Sequence, residues 1–90
     1  MIRIGVIGVG GMGGAHCNTL PKVKNCEFVG VADLRLEAAE KVASQHQIQA
    51  FQDYHQLLEI VDGVIVATPP SAHREVVVNA AKMNVHTFCE

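Results

Sequence analysis

Residues 5–14 read GVIGVGGMGG, and glycine fills six of these ten positions. Glycine loses more conformational freedom on folding than any other residue, so this concentration requires a reason. A flexible linker is one explanation, and a backbone that must come very close to another group is the alternative. The apolar run Ile2–Ile7 before the loop predicts a buried strand, which favours close approach over a linker.

Short apolar runs rich in β-branched residues recur along the chain and predict strands of a parallel sheet that is covered on both faces. Segments of good helix formers lie between these runs and predict helices. Further strands are predicted at Glu27–Ala32, Gly63–Ala67 and Val85–Cys89, with a very short one at Gln49–Phe51. Helices are predicted at Gly11–Leu20, Leu36–His46, Tyr54–Ile60 and Ser71–Met83.

Several residues at the ends of these segments suit helix termini. Asp53 and Ser71 are predicted N-caps, and Asn84 is a predicted left-handed stop. Strands that alternate with helices require parallel pairing through right-handed crossovers. The sequence therefore predicts an α/β fold, a doubly wound parallel sheet (Rossmann fold), with residues 1–90 as one domain. Such a sheet normally carries another helix and strand, so we expect it to be truncated after the fifth strand.

Composition limits the classes of function. The chain has 90 residues, of which 49% are hydrophobic and 18% charged, and its formal net charge is -2. This balance predicts a folded core and argues against nucleic acid or an anionic membrane as the main partner. The three cysteines form no CxxC pair, no spaced metal-ligand set is present, and no signal peptide or membrane span is evident. We therefore expect a cytoplasmic protein with reduced thiols and no metal site.

The glycines fall where the first strand turns into the first helix. Gly8, Gly10 and Gly13 fit the pattern G-x-G-x-x-G, in which the glycines allow a tight turn, close approach of a pyrophosphate and close packing of helix on strand. The helix N-terminus then offers free N–H groups to the phosphates. Gly11 and Met12 complete the predicted cofactor-binding loop. A methyltransferase loop, G-x-G-x-G, would require glycine at position 12 and fits less well.

An acidic residue closes the second strand. Asp33 lies 25 residues after Gly8, where a carboxylate accepts hydrogen bonds from the ribose of NAD and repels the 2′-phosphate of NADP. Arg35 could instead pair with a 2′-phosphate, so NAD is favoured and NADP stays possible. The structural alternatives are a turn residue or helix cap for Asp33 and a solvated surface cation for Arg35.

Three stretches together resemble the N-terminal domain of the Gfo/Idh/MocA oxidoreductases, the relatives of glucose-fructose oxidoreductase and inositol dehydrogenase. They read RIGVIGVGGMGGAH (3–16), VGVADLRLEAAEKVA (29–43) and VDGVIVATPPSAHREVVVNAAKMNVHTFCE (61–90). The resemblance covers essentially the whole chain. It implies an NAD(P)-dependent oxidoreductase that transfers a hydride between a hydroxyl of a sugar or cyclitol and nicotinamide.

The resemblance also implies further site residues. Thr68, Pro69 and Pro70 would line the nicotinamide side of the cofactor site, although the family more often has Asn where this chain has Pro70. His73 matches a frequent family histidine near that site. Glu90 matches the glutamate of a Glu-Lys-Pro motif whose lysine, which assists proton transfer in the family, would be the next residue.

The family's substrate domain is not among these residues, so the resemblance implies an incomplete enzyme with no catalytic residue of its own. We expect the isolated chain to bind the dinucleotide without turnover and to form a homo-oligomer through the exposed edge of its last strand. A non-catalytic module that senses the dinucleotide or assembles with a partner is the alternative function.

Overall fold

The fold is a five-stranded parallel sheet with helices on both faces, as seen in a computed structural model that describes residues 2–9, 17 and 24–89. The strand order is β3-β2-β1-β4-β5, which confirms the predicted doubly wound α/β architecture. In chain order the elements are β1 (Ile2–Ile7), β2 (Cys26–Ala32), α1 (Leu36–His46), β3 (Gln49–Phe51), α2 (Tyr54–Leu58), β4 (Gly63–Val66), α3 (Pro70–Lys82) and β5 (His86–Cys89).

Each face of the sheet has its own apolar core. Helices α2 and α3 cover one face, where they bury Leu57 and Val76 against β1 and β4. Helix α1 covers the other face with Ala39 and Ala43. Cys17 is buried in this second core, and burial raises the pKa of its thiol from 9.0 to about 11. A neutral, packed thiol of this kind behaves as a small apolar core residue.

Two of the three predicted helix ends are confirmed and one is wrong. The Asp53 side chain accepts a hydrogen bond from the His55 amide and caps α2, and Asn84 adopts a left-handed φ of 59° after α3. Ser71 is not the N-cap of α3, because the helix already begins at Pro70 with Pro69 at the cap position. Proline suits the first helical position because its fixed φ is helical and it has no amide to leave unpaired.

Most element boundaries agree with the sequence to within two residues. Strand β2 begins at Cys26, one residue earlier than predicted, β4 ends at Val66, one residue early, and β5 begins at His86, one residue late. Helix α2 ends at Leu58, two residues before the predicted end. The predicted helix Gly11–Leu20 lies outside the described residues, except for Cys17, which is helical. Within the described ranges, no helix is both long and apolar enough to cross a membrane.

The pairing of β1 with β2 contains one irregularity. Its register shifts between Ile4, which pairs with Phe28, and Gly5, which pairs with Gly30. Two glycines therefore lie side by side in the middle of the sheet. The Leu57 side chain packs on both, since a Cβ built at either glycine would lie 2.9 Å or less from a Leu57 methyl carbon. We call Gly5 and Gly30 the glycine notch.

Candidate functional site

The site lies at the carboxyl ends of the central strands. Strand β1 pairs with β2 on one side and with β4 on the other, so successive connections run to opposite sides of β1. In open α/β sheets, ligands bind at this point of reversal, where the connecting loops separate. The residues that follow β1, β2 and β4 are therefore the first candidates for binding a ligand.

Gly8 directly follows β1 and adopts a conformation that only glycine adopts readily. Its φ is +89°, and its amide donates to the Ala32 carbonyl at the end of β2. A Cβ at this position would lie 3.0 Å from the carbonyl carbon and oxygen of Ala67 and 3.2 Å from the Thr68 amide nitrogen. The backbones that follow β1 and β4 are thus too close together for any side chain at position 8.

Asp33 directly follows β2, and its side chain links the loop after β1 to the loop after β2. Its Oδ2 accepts a hydrogen bond from the Val9 amide at 3.1 Å, and its Oδ1 accepts one from the Arg35 amide at 2.9 Å. The Asp33 side chain is only 12% exposed, whereas that of Arg35 is 68% exposed, with its Nε 3.7 Å from Asp33 Oδ1. The carboxylate is therefore fixed in place, and the guanidinium is a largely solvated cation beside it.

A cavity of about 760 Å³ opens beside these residues, within the size range of small-molecule binding sites. Apolar groups form most of its wall, and Asp33 and Thr68 are among the polar residues that line it. In the part of the chain that the structure describes, the buried Oγ1 of Thr68 has no hydrogen-bond partner. The lining residues are Ile7, Gly8, Ala32, Asp33, Leu34, Arg35, Gln52, Tyr54, Ala67, Thr68, Pro69, Ala72, Glu75 and Val76.

The structure brings several of the predicted site residues together in this cavity. Those that line it are Gly8, Asp33, Arg35, Thr68 and Pro69. Pro70 and His73, in the first turn of α3, do not line it, so their assignment to the nicotinamide side stays a prediction. The remaining predicted residues lie outside the described ranges, namely Gly10, Gly11, Met12, Gly13 and Glu90.

Sequence reasoning missed the far wall of the cavity. Gln52 and Tyr54 follow the short strand β3, and Gln52 donates to the Leu34 carbonyl at 3.0 Å. The Tyr54 hydroxyl accepts a hydrogen bond from the Asn79 side chain at 2.7 Å, which ties α2 to α3. Glu75, one turn into α3, completes this wall. The short strand Gln49–Phe51 was the available signal, because residues after a parallel strand lie at the ligand-binding edge.

The sheet is parallel, with a positive-φ glycine after β1, an acid after β2 and a cavity at the point of reversal. Together these features define the dinucleotide-binding class of α/β domains. Among the described residues, no group of three or more His, Cys, Asp or Glu side chains could hold a metal ion. Comparison with known proteins narrows the class. Residues 2–90 match the model of the Gfo/Idh/MocA oxidoreductase family, NAD-binding Rossmann fold, and the chain belongs to this family.

Curated relatives share about a third of the sequence. The chain is 36% identical over 90 residues to the glucose-6-phosphate 3-dehydrogenase of Bacillus subtilis, covering all of this chain and 26% of that protein. It is 33% identical over 92 residues to the myo-inositol 2-dehydrogenase of Thermotoga maritima, covering 99% of this chain and 28% of that protein. The chain thus spans about a quarter of the length of these relatives.

Solved structures show the same fold. The UDP-N-acetylglucosamine 3-dehydrogenase of Acidithiobacillus ferrooxidans superposes with a TM-score of 0.91 at 35% identity, over 98% of this chain and 29% of that one. A probable dehydrogenase from Thermotoga maritima superposes with a TM-score of 0.92 at 32% identity, over 98% of this chain and 27% of that one. GenD2 from gentamicin A biosynthesis, solved in complex with NAD, superposes with a TM-score of 0.92 at 21% identity, over 98% of this chain and 26% of that one. This last match is a likeness of fold alone.

Proposed function

We propose that residues 1–90 form the dinucleotide-binding part of an oxidoreductase that transfers a hydride between a hydroxyl-bearing carbon of a sugar or cyclitol and the nicotinamide of NAD. The observation that carries this proposal is the cavity at the carboxyl ends of β1, β2 and β4, which Gly8, Asp33 and Thr68 line together. The names of the similar dehydrogenases, which act on glucose 6-phosphate, inositol and UDP-N-acetylglucosamine, support the substrate class.

The glycine loop is proposed to hold the pyrophosphate. At Gly8 the absence of a Cβ and the positive φ bring the chain against the end of β4. Backbone amides that follow such a turn bind phosphate oxygens without needing a cationic side chain. This agrees with a chain whose net charge is -2. Gly10, Gly11, Met12 and Gly13 are proposed to supply the rest of this loop.

Asp33 is proposed to accept hydrogen bonds from the adenosine ribose. A carboxylate has about four acceptor positions, and two of them are used by the amides of Val9 and Arg35. The others are available to ribose hydroxyls. A 2′-phosphate would bring negative charge onto this fixed carboxylate, so we propose a preference for NAD over NADP. Arg35 offsets only part of this repulsion, because its charge is largely solvated.

Thr68, Pro69, Pro70, His73 and Glu90 are proposed to lie toward the nicotinamide. The Thr68 hydroxyl is buried after β4 and has no hydrogen-bond partner within the described ranges, which suits a hydrogen bond to the cofactor or to an ordered water. When bound, NAD supplies the hydride chemistry, and this chain supplies position and electrostatics. We propose that the substrate pocket and the group that moves the proton come from a further domain, so the 90 residues alone bind NAD without turnover.

Two statements about the surroundings of the chain belong to the same proposal. We place the protein in the cytoplasm, which the free thiols of Cys17 and Cys26 support. We also propose that the chain self-associates, since Ile2 and Phe88 are 53% and 60% exposed. Light scattering on the purified chain tests this, and a monomer at every concentration would contradict self-association.

Titration of the purified chain with NAD and with NADP, followed by calorimetry and thermal shift, tests the proposed function. A ligand that binds only the folded state raises the melting temperature, and we expect the larger rise with NAD. Asp33→Ala should weaken NAD binding by about 10- to 100-fold, the value of one charged hydrogen bond. Asp62→Ala is the matched control, because Asp62 is also an aspartate that accepts from a backbone amide, that of Arg3 in β1, at the opposite end of the sheet. No shift with either nucleotide would contradict the proposal.

A further inference from the structure

Two consecutive backbone amides at the end of β1 point to the same side. The Gly8 amide donates to the Ala32 carbonyl at 2.8 Å, and the Val9 amide donates to the Asp33 carboxylate at 3.1 Å. Successive amides of an extended strand point in opposite directions. The φ of +89° at Gly8 turns the chain between these two amides, so that both face the end of β2.

The bond from Val9 to Asp33 fixes the first step of the glycine loop. Val9 lies outside the strands, and no strand carbonyl accepts from its amide in the described part of the chain. Val9 as a whole is only 6% exposed, so its amide requires a partner within the protein. The carboxylate provides that partner while its other oxygen accepts from the Arg35 amide. One side chain thus joins the loop after β1 to the loop after β2.

A second carboxylate shows what a less buried arrangement looks like. Asp62 accepts from the Arg3 amide at 2.8 Å, and the Arg3 Nε lies 3.8 Å from the same oxygen. This side chain is 51% exposed and lies at the start of β1, far from the cavity. Water competes for such an exposed carboxylate, whereas the Asp33 carboxylate is 12% exposed and its bond from the Val9 amide is partly buried.

From these contacts we infer that Asp33 is a positioning residue for the turn at Gly8 and Val9, in addition to its proposed contact with ribose. It holds the Val9 amide, and with it the turn at Gly8, in place before any nucleotide arrives. The effect on nucleotide affinity rests on the proposed function, while the effect on the free protein does not. Loss of the carboxylate would therefore loosen this turn and weaken the binding even of a ligand with no ribose hydroxyl at this position.

Hydrogen exchange on the nucleotide-free chain tests the inference without any ligand. In Asp33→Ala, exchange of the Val9 amide, taken relative to that of the core residue Val64, should be at least about tenfold faster than in the unmodified chain. In Asp33→Asn, the increases in exchange rate of the Val9 and Arg35 amides, taken together, should be smaller than in Asp33→Ala. The one acceptor oxygen of asparagine can still accept from one of the two amides. Asp62→Ala should leave the Val9 ratio unchanged. An unchanged Val9 ratio in Asp33→Ala would overturn the inference.

A binding experiment separates positioning from ribose contact. The ligands are NAD and an NAD analogue whose adenosine ribose lacks both the 2′ and 3′ hydroxyls. If Asp33 positions the loop, Asp33→Ala lowers the affinity for both ligands, and we expect about a tenfold loss for the analogue. If Asp33 acted only on the ribose, the affinity for the analogue would be unchanged, and the inference would be wrong. If the unmodified chain bound neither ligand, the proposed function would fail, and the exchange ratio would still decide the inference.

Discussion

Gly5 and Gly8 lie three positions apart in the sequence, in β1 and just after it, yet they are required by different neighbours. At Gly8 a Cβ would meet backbone, with the Ala67 carbonyl carbon and oxygen both at 3.0 Å. At Gly5 the three atoms nearest to a Cβ would all belong to the Leu57 side chain, the first at 2.9 Å. Gly8 also has a φ of +89°, whereas Gly5 is not among the described residues with positive φ.

This difference shows at which glycine a second substitution, in the neighbouring residue, can make a larger residue acceptable. A side-chain neighbour is replaceable, so we expect Gly5 to be required only while Leu57 packs on it. At Gly30, the other glycine of the notch, a Cβ would also lie 3.3 Å from the backbone oxygen of Gln49. A backbone neighbour remains whatever residue stands there, so Gly8 is required by the path of the chain itself. The first requirement concerns stability, and the second concerns the shape of the binding site. The predictions below follow from this contrast.

Leu57→Ala should have the largest effect on stability. The Leu57 side chain is fully buried and contacts both glycines of the notch, so its removal leaves a cavity over the centre of the sheet. We expect the free energy of unfolding to fall by about 3–5 kcal/mol, measured by urea denaturation. Leu34→Ala is a suitable control, because Leu34 is 83% exposed. Equal stability of the two variants would show that Leu57 does not support the notch.

Gly8→Ala should lower the free energy of unfolding by about 2–4 kcal/mol, because strain at a positive φ adds to the contact with the Ala67 backbone. The same variant should lose measurable NAD binding in calorimetry. Leu57→Ala should not rescue Gly8→Ala, so the losses in free energy of unfolding of the two variants should add in the double variant. Wild-type stability and NAD affinity in Gly8→Ala would break the comparison.

Gly5→Ala should lower the free energy of unfolding by about 1–3 kcal/mol, the usual effect of overpacking a core. In the Leu57→Ala background the same substitution should have almost no effect, because the new methyl group enters space that Leu57 has vacated. A double-mutant cycle in urea measures this coupling. Additive losses would mean that Gly5 is required by the backbone, as Gly8 is.

The smallest effect concerns the cap of α2, the helix that carries Leu57. The hydrogen bond from the His55 amide, and then the contact with the His55 side chain, lower the pKa of Asp53 below its usual 3.8. A lowered pKa contributes stability above pH 3.8 that is lost as the pH falls through the lowered value. We therefore expect Asp53→Asn to be less stable than the unmodified chain at pH 7, by less than Gly5→Ala is, in urea denaturation. The gap should close once the pH has fallen below the lowered pKa of Asp53, and a gap that stays constant with pH would contradict this assignment.

Several features were predictable because their signals are local. Strands and helices follow from short apolar runs and helix formers between them, and the boundaries of the described elements agree to within two residues. The cap at Asp53 and the left-handed Asn84 were predictable for the same reason, since each depends on a single turn of chain. The prediction of Ser71 as an N-cap was wrong, because Pro70 takes the first helical position, which proline prefers, and the helix therefore begins before Ser71.

The candidate site divides in the same way. Gly8 and Asp33 were predicted because their positions after β1 and β2 follow from the sequence spacing alone. Gln52, Tyr54 and Glu75 were missed, because they reach the cavity only through the packing of α2 and α3 on the sheet. The bonds from Val9 and Arg35 to Asp33 were equally hidden, since a carboxylate's partners depend on which loops the folded chain brings beside it.

The sequence by itself determined an alternating β and α chain with a glycine-rich turn after the first strand and an acid at the next strand end. Hydrophobic pattern, helix propensity and glycine spacing act over a few residues and survive without tertiary contacts. Only the tertiary structure decided that a register shift sets Gly5 beside Gly30, and that Leu57 fills the notch between them. The physical reason is that register and close packing are settled between segments more than 20 residues apart, where no local pattern specifies the distance between atoms.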